Sequence, residues 1–155
     1  MKAVLVIVAA FGFGLPAVAF AAGKTQVIAA SDLQAQLTQL APLARTKGSS
    51  GSNLLATGNL ALKLSVRTSS GGAEIHANFD DLMIVQQGSA TLITGGIVVN
   101  PQTGADGETH GTSVANGQSR IITVGDIVVV PAGVPHQLLI PPGTIYSALV
   151  AKIKE

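Results

Sequence analysis

A period-two pattern of apolar and polar residues is the clearest structural signal in the chain. Residues 60–67, LALKLSVR, place Leu or Val at every second position, with Lys63, Ser65 and Arg67 among the residues between them. This alternation predicts a strand with one apolar face. Shorter segments of β character predict further strands at residues 82–85, 90–94, 97–99, 112–115, 118–123, 127–130, 136–140 and 145–153.

Turn residues separate these segments. Gly88-Ser89 predicts a hairpin, and Asn116-Gly117 predicts a type I′ hairpin turn between residues 112–115 and 118–123. The polar stretches at residues 47–53 and 100–111 predict loops. About ten short strands joined in this way are typical of a two-sheet sandwich or jelly roll.

One helix is predicted before these strands. Ser31 is its expected N-cap, and Leu33, Leu37 and Leu40 follow at helical spacing to form one apolar stripe. Pro42 is expected to limit the helix. We expect this helix to cover one face or end of a sheet. The predicted fold class is therefore all-β, with one short N-terminal helix.

Composition narrows the class of protein. Hydrophobic residues make up 47% of the 155 residues and charged residues only 11%, which is enough apolar material for one packed domain and argues against disorder. The formal net charge is +1, so the chain has no basic surface of the kind that binds nucleic acid. The sequence contains no Cys, which excludes disulfides, thiolate nucleophiles and Cys-ligated metals.

Residues 1–21 have the pattern of a secretory signal peptide. Lys2 precedes an uncharged apolar stretch over residues 3–15, and Pro16 and small residues follow. The run Ala19-Phe20-Ala21 satisfies the small-x-small rule for cleavage after Ala21, with cleavage after Ala19 as a second choice. An uncleaved membrane anchor is the alternative. We expect a periplasmic or secreted bacterial protein, with no stable membrane association after cleavage.

Residues 125–136 read GDIVVVPAGVPH. Gly125, Pro131, Gly133 and His136 stand at the spacing of the second conserved motif of the cupin family, which this segment resembles. Ile140 replaces the Asn that ends the family pattern. A strand that ends at Pro131, followed by a tight turn at Gly133, would direct His136 into the barrel interior.

A weaker resemblance to the first cupin motif lies upstream. Its best register places Glu74 and His76 at the two His positions, Asp81 at the Glu position and Gly88 at the closing Gly. The opening Gly is absent, because that position is Thr68. Together the two motifs imply a cupin jelly-roll β-barrel, with a single domain over residues 22–155 and a barrel core over about residues 54–153.

The resemblance implies one divalent metal held by Glu74, His76, Asp81 and His136. Imidazole and carboxylate ligands suit a first-row transition ion: Fe(II), Mn(II), Ni(II), Cu(II) or Zn(II). Glu74 is either a ligand or a proton acceptor. His76 and Asp81 are an odd number of residues apart, so on one straight strand their side chains would point to opposite faces. A bend at residues 78–80 is therefore required to bring them together. The alternative is a cupin that has lost its metal, in which these residues line a pocket.

Two other groups are candidates. His110 is expected in the loop over residues 100–111, where it could supply a general acid or base, although a loop His is more often solvated. The polar face of the strand over residues 60–67 carries Arg67, which would hold a substrate carboxylate or phosphate if that face lay inside the barrel. We expect this face to be exterior, in contact with solvent or with a second subunit.

The resemblance leads to a functional hypothesis. The protein is expected to be an exported, metal-dependent enzyme that acts on a small polar molecule, with the reaction type left open. A non-catalytic cupin that binds a small molecule, or a structural cupin, is the alternative. Small cupins often pair through their outer strands, and the apolar content is high for so few charges, so a homodimer is expected.

Overall fold

Two antiparallel sheets, packed face to face, contain most of the chain. The computed structural model describes residues 25–155, so the predicted signal peptide lies outside the described residues. One helix, α1, spans Ala30–Lys47. The strands are β1 (Ser49–Ala56), β2 (Leu60–Arg67), β3 (Ala73–His76), β4 (Phe79–Gln87), β5 (Ser89–Thr94), β6 (Ile97–Val99), β7 (Gln102–Thr103), β8 (Glu108–Gly111), β9 (Ser113–Ala115), β10 (Gln118–Thr123), β11 (Ile127–Val130), β12 (His136–Leu139) and β13 (Tyr146–Lys154).

The strand order is that of a jelly roll. The five-stranded sheet has the order β1-β2-β13-β4-β11, and the six-stranded sheet has the order β10-β5-β12-β3-β8-β7. Strands β6 and β9 form a separate pair. The chain passes from one sheet to the other between β3 and β4, and again between β4 and β5. The prediction of an all-β, two-sheet architecture with one N-terminal helix is confirmed.

The main core lies between the two sheets. Met83, Val85 and Ala148 from the five-stranded sheet pack with Leu92 and Ile122 from the six-stranded sheet, all of them buried. Burying aliphatic side chains of this size stabilises the fold by roughly 1.5–3 kcal/mol each. This packing holds the two sheets together.

Helix α1 covers the outer face of the five-stranded sheet. Leu37, Leu40 and Ala44 of the helix pack against Leu64 and Val66 of β2 in a second buried cluster. Leu64 and Val66 are each only 1% exposed although they point away from the barrel interior. Because successive side chains on a strand alternate between faces, the polar residues of β2 must point inward.

The helix differs from its prediction at both ends. Its N-cap is Ala29, which makes no side-chain capping hydrogen bond, and Ser31 lies inside the first turn. Pro42 is accommodated within the helix, which continues to Lys47 and ends at Gly48 with a positive φ of 84°.

Within residues 25–155 no helix has the length and hydropathy needed to cross a membrane.

Both predicted loops contain strands. Residues 49–56 form β1, which pairs antiparallel with β2. Ser50 Oγ donates to the Leu40 carbonyl at 2.8 Å, and Ser52 Oγ donates to Gln36 Oε1 at 2.6 Å. These bonds tie a polar strand to the helix that covers it. Residues 100–111 contain β7 and β8, which are joined by a hydrogen bond of 2.8 Å between the hydroxyls of Thr103 and Thr109.

The predicted hairpins at Gly88-Ser89 and Asn116-Gly117 are both wrong in their pairing. The strands on either side of Gly88-Ser89, β4 and β5, lie in different sheets and do not pair. Asn116 does adopt the positive φ of a turn, at 57°. However, β9 pairs with β6 and β10 pairs with β5, so the two flanking strands belong to different sheets. A turn signal identifies where the chain reverses but does not specify which strands become partners.

Candidate metal centre

His136 is held by the turn that precedes it and by strands on both sides. Gly133 has a φ of 76°, and its N–H donates to the His76 carbonyl at 2.8 Å. On β12, His136 is in register with Glu74 of β3 and with Thr94 of β5. Its Nδ1 lies 3.1 Å from the carbonyl of Val134, which can only accept, so Nδ1 carries the proton. The lone pair of Nε2 is therefore free to bind a cation.

His76 is oriented in the same way by a carboxylate. It lies on β3 opposite Glu108 of β8, and its Nδ1 donates to Glu108 Oε2. Both His76 and His136 are only 5% exposed, and their ring centroids are 5.1 Å apart. Nε2 of His76 is buried and makes no hydrogen bond within residues 25–155. Imidazoles that ligate metals are commonly fixed by such a hydrogen bond from the other ring nitrogen.

Glu74 completes a group of three ligands. Its Oε2 lies 3.7 Å from His76 Nε2 and 4.0 Å from His136 Nε2. One ligand atom from each of Glu74, His76 and His136 lies within 4.8 Å of the others. Ligands bound tetrahedrally at ~2.1 Å are about 3.4 Å apart, so a small side-chain movement would close the group around an ion. The three residues therefore could hold a metal ion.

Asp81 lies beside this group on the opposite sheet. A bend carries the chain from β3 to β4, but it lies at residues 77–78 and not at the predicted residues 78–80, because β4 already begins at Phe79. Asp81 Oδ2 lies 3.3 Å from His76 Nε2, and Oδ1 lies 3.2 Å from Lys152 Nζ. Lys152 also lies over the Phe79 ring, 5.9 Å from its centroid. Asp81 thus contacts one candidate ligand and one cation, and its role as a ligand stays a prediction.

The pKa values of the buried groups are shifted by their neighbours. Burial lowers the pKa of His76, but the Asp81 and Glu108 carboxylates outweigh that effect and leave the pKa above its ordinary value. Burial lowers the pKa of His136, and the Val134 carbonyl offsets this only in part. Burial raises the pKa of Asp81, yet His76 and Lys152 bring it below its ordinary value. At neutral pH, His136 is therefore neutral and Asp81 is ionised.

Comparisons with protein-family models and with curated protein sequences find no match. Solved structures do share the fold. The cupin domain of Cnp3 from Schizosaccharomyces pombe matches with a TM-score of 0.53 at 7% identity, over 69% of this chain and 65% of that chain. The chain has the cupin fold.

Two further structures with this fold are described as enzymes. DMSP lyase DddQ from Ruegeria pomeroyi DSS-3 matches with a TM-score of 0.51 at 16% identity, over 71% of this chain. The chain spans only 49% of the length of that lyase. A protein from Thermotoga maritima, described as a predicted oxalate decarboxylase, matches with a TM-score of 0.52 at 14% identity, over 69% of this chain and 81% of that chain.

The cupin barrel contains a cavity of about 260 Å³ next to the candidate ligands. Lys63, Ser65 and Arg67 of β2 line this cavity together with Glu74 and His136. The expectation that the polar face of β2 is exterior is therefore wrong. The apolar face of β2 is covered by α1 on the outside of the barrel, which leaves the polar face for the interior.

On β8, Glu108 contacts the candidate ligands, whereas the predicted candidate His110 does not. His110 is in register with Glu74 but is exposed, and it is not part of the three-ligand group; it lies on a strand and not in the predicted loop. Glu108, which was not among the predicted site residues, accepts the Nδ1 proton of His76. The signal that could have identified it is its spacing of two residues from His110, which places both side chains on one strand face.

Proposed function

We propose that this cupin is an exported enzyme that holds one divalent first-row transition metal and acts on a small polar molecule. The observation that carries the proposal is the pair of buried imidazoles with engaged Nδ1 atoms, which leaves both Nε2 atoms next to the Glu74 carboxylate. A bound ion would supply Lewis-acid chemistry to a substrate in the adjoining cavity. The Glu74 side chain is 34% exposed and lines that cavity, so it could also accept a proton.

The comparisons support an enzymatic role only by analogy. Proteins described as a lyase and as a predicted decarboxylase share the fold at 16% and 14% identity. Chemistry on a shared fold depends on the residues of the site, so the reaction type does not transfer. The cavity beside the ligands is the feature that an enzyme requires and that a purely structural cupin does not.

A binding protein without a metal is the second candidate. It is favoured by Lys152, whose ammonium lies 3.2 Å from Asp81 Oδ1 and places a positive charge close to the ligand group. A fixed cation there weakens the attraction for a divalent ion. In this case His76, Asp81 and Lys152 would form a permanent polar network at the end of the cavity.

Metal binding separates the two candidates. The purified mature protein, isolated without chelators, should contain about one first-row metal ion per chain on elemental analysis. His136→Ala and His76→Ala should each weaken Mn²⁺ binding by more than about 100-fold, since even an outer-sphere change typically costs 10–100-fold. The Glu74→Gln protein should also bind less metal, because Glu74 Oε2 lies within 4.0 Å of the Nε2 atoms of both His76 and His136.

The chain offers a matched control for these variants. His110 is the remaining one of the three histidines in the sequence, it is exposed, and it lies outside the ligand group. His110→Ala should therefore bind Mn²⁺ like the wild type. A wild-type protein that contains no metal and binds neither Mn²⁺ nor Zn²⁺ would overturn the proposal in favour of the binding protein. Circular dichroism of each variant would establish that the barrel remains folded.

Export is the remaining part of the proposal. Its support is the signal-peptide pattern of residues 1–21, with the cleavage site expected after Ala21. A periplasmic or secreted location is consistent with a chain that contains no Cys to be oxidised.

A further inference from the structure

The cavity beside the candidate ligands holds more positive than negative side chains. Its charged lining consists of Lys63, Arg67 and Lys152 against Glu74 and Asp81, which leaves one net positive charge. Lys152 is paired with Asp81 at 3.2 Å, and Glu74 faces the two imidazoles. Within residues 25–155, no carboxylate oxygen lies within 4.0 Å of Lys63 or Arg67. The surplus charge therefore belongs to these two side chains of β2.

The fold itself directs these cations inward. Leu64 and Val66 are buried beneath α1, so the alternate residues Lys63 and Arg67 point into the barrel, and both are partly buried there. Removing a cation from water without an opposite charge is unfavourable. An anionic ligand would supply that charge.

Arg67 lies against a backbone segment that is held in place. A Cβ added to Gly71 would lie 2.9 Å from Arg67 Nη1 and 3.5 Å from Cζ, so the guanidinium contacts the chain where Gly71 has no side chain. The Gly71 N–H donates to the Leu138 carbonyl at 3.1 Å, and Gln137 Nε2 donates to the Gly71 carbonyl at 2.9 Å. The guanidinium thus lies against a fixed backbone segment inside the cavity, and a planar guanidinium matches the two oxygens of a carboxylate.

We propose that the cavity binds a small organic acid whose carboxylate is held by Arg67 and Lys63 and whose other end reaches Glu74 and His136, which line the same cavity. The second half of this statement rests on the proposed metal site. Gly71 precedes Glu74 by three residues, which span at most about 10 Å of chain, so a molecule of a few carbon atoms can bridge the two ends. The cavity of about 260 Å³ lies below the ~300–1,000 Å³ typical of larger ligands.

Short hydroxy acids and their amides provide the test. Glycolate, 3-hydroxypropionate and 4-hydroxybutyrate would be titrated by calorimetry into the mature protein, both metal-free and Mn²⁺-loaded, beside the three corresponding uncharged amides. At least one acid should bind at least about 10-fold more tightly than its amide, because a hydrogen bond to a charged group contributes ~1.5–3 kcal/mol. Equal binding of acid and amide, or binding of none of the acids, would overturn the proposal.

Variants identify the residues responsible. Arg67→Gln and Lys63→Met should each weaken binding of the acid by about 10- to 100-fold. Arg120→Gln and Lys154→Met remove the same charges from exposed positions and should leave binding unchanged. Gly71→Ala keeps every charge but displaces the guanidinium, so it should also weaken binding several-fold. An Arg67→Gln protein that binds like Arg120→Gln would exclude Arg67 from the site.

Titrating both the metal-free and the Mn²⁺-loaded protein distinguishes an error in the anion site from an error in the metal site. If Mn²⁺ binds and no acid binds, the anion site is wrong and the metal site stands. If no metal binds but the metal-free protein binds the acid through Arg67, the metal site is wrong and the anion site stands.

Discussion

The contact between Glu108 and His76 leads to the most specific prediction about the metal centre. Glu108 accepts the Nδ1 proton of His76, which is 5% exposed, and the Glu108 side chain itself is 22% exposed. Replacing Glu108 by Ala removes the acceptor of the Nδ1 proton and leaves Asp81, 3.3 Å from Nε2, as the nearest carboxylate to that ring among residues 25–155. The ring then turns more freely, and its Nδ1 and Nε2 can exchange the proton, so fewer rings present a free Nε2 to the ion.

The size of the effect follows from the kind of bond that is lost. Loss of a carboxylate behind a ligating imidazole typically weakens metal binding 10- to 100-fold, which corresponds to ~1.4–2.7 kcal/mol. Glu108→Gln retains a neutral oxygen that can accept the same proton, so it should lose only about 1 kcal/mol, or roughly 5-fold. The expected order of Mn²⁺ affinity is wild type, then Glu108→Gln, then Glu108→Ala, then His76→Ala.

Titration of Mn²⁺ by calorimetry at one pH and one salt concentration would measure this series. Glu155→Gln serves as the control, because it removes one carboxylate from an exposed position and corrects for the change in net charge. If Glu108→Ala bound Mn²⁺ as tightly as Glu155→Gln while His76→Ala did not bind it, the orienting role of Glu108 would be refuted. A Glu108→Ala protein that is less thermally stable but binds Mn²⁺ with unchanged affinity would also refute the orienting role.

Three further predictions concern other parts of the molecule. Intact mass of exported protein should show a chain that begins at Ala22, and a mass that includes residues 1–19 would contradict this. Ile127 and Val129 on the edge strand β11 are 67% and 59% exposed, so light scattering should give twice the chain mass and Val129→Lys should give the single-chain mass; a single-chain mass for the wild type would count against the dimer. Burial raises the pKa of Tyr146, the only Tyr in the chain, to about 12, so its absorbance at 295 nm should titrate near pH 12 in the native protein and near pH 10 when unfolded. Because the unfolded state loses this proton first, stability should fall by up to about 3 kcal/mol as the pH rises from about 10 to 12; a native midpoint near 10 would refute the shift.

The turn before His136 is the part of the site that sequence reasoning predicted best. Gly125 and Gly133 have φ values of 90° and 76°, which only Gly adopts readily, and the strand over residues 127–130 has the predicted bounds. Such a turn depends on the conformational preferences of its own Gly and Pro residues, so it can be predicted from the sequence. The position of His136 follows directly from it.

The direction of β2 could not be predicted in the same way. Its alternation is correct, but period two does not say which face of a strand meets the barrel interior. That choice depends on α1, which buries Leu64 and Val66 on the outside through contacts distant in sequence. Glu108 was missed for a related reason, since its pairing with His76 joins residues that are 32 positions apart. Both errors concern tertiary partners, which a single sequence does not reveal.

The positions of the last two strands affect how the protein can be made. Strand β12 lies between β3 and β5 in one sheet, and β13 lies between β2 and β4 in the other. During synthesis from the N-terminus, neither sheet can therefore complete its strand pairing until β12 and β13 have been made. Until then β2, β3, β4 and β5 each have an unpaired edge, and such edges promote association between unfinished chains. A chain truncated before β12 should accordingly aggregate and would lack His136.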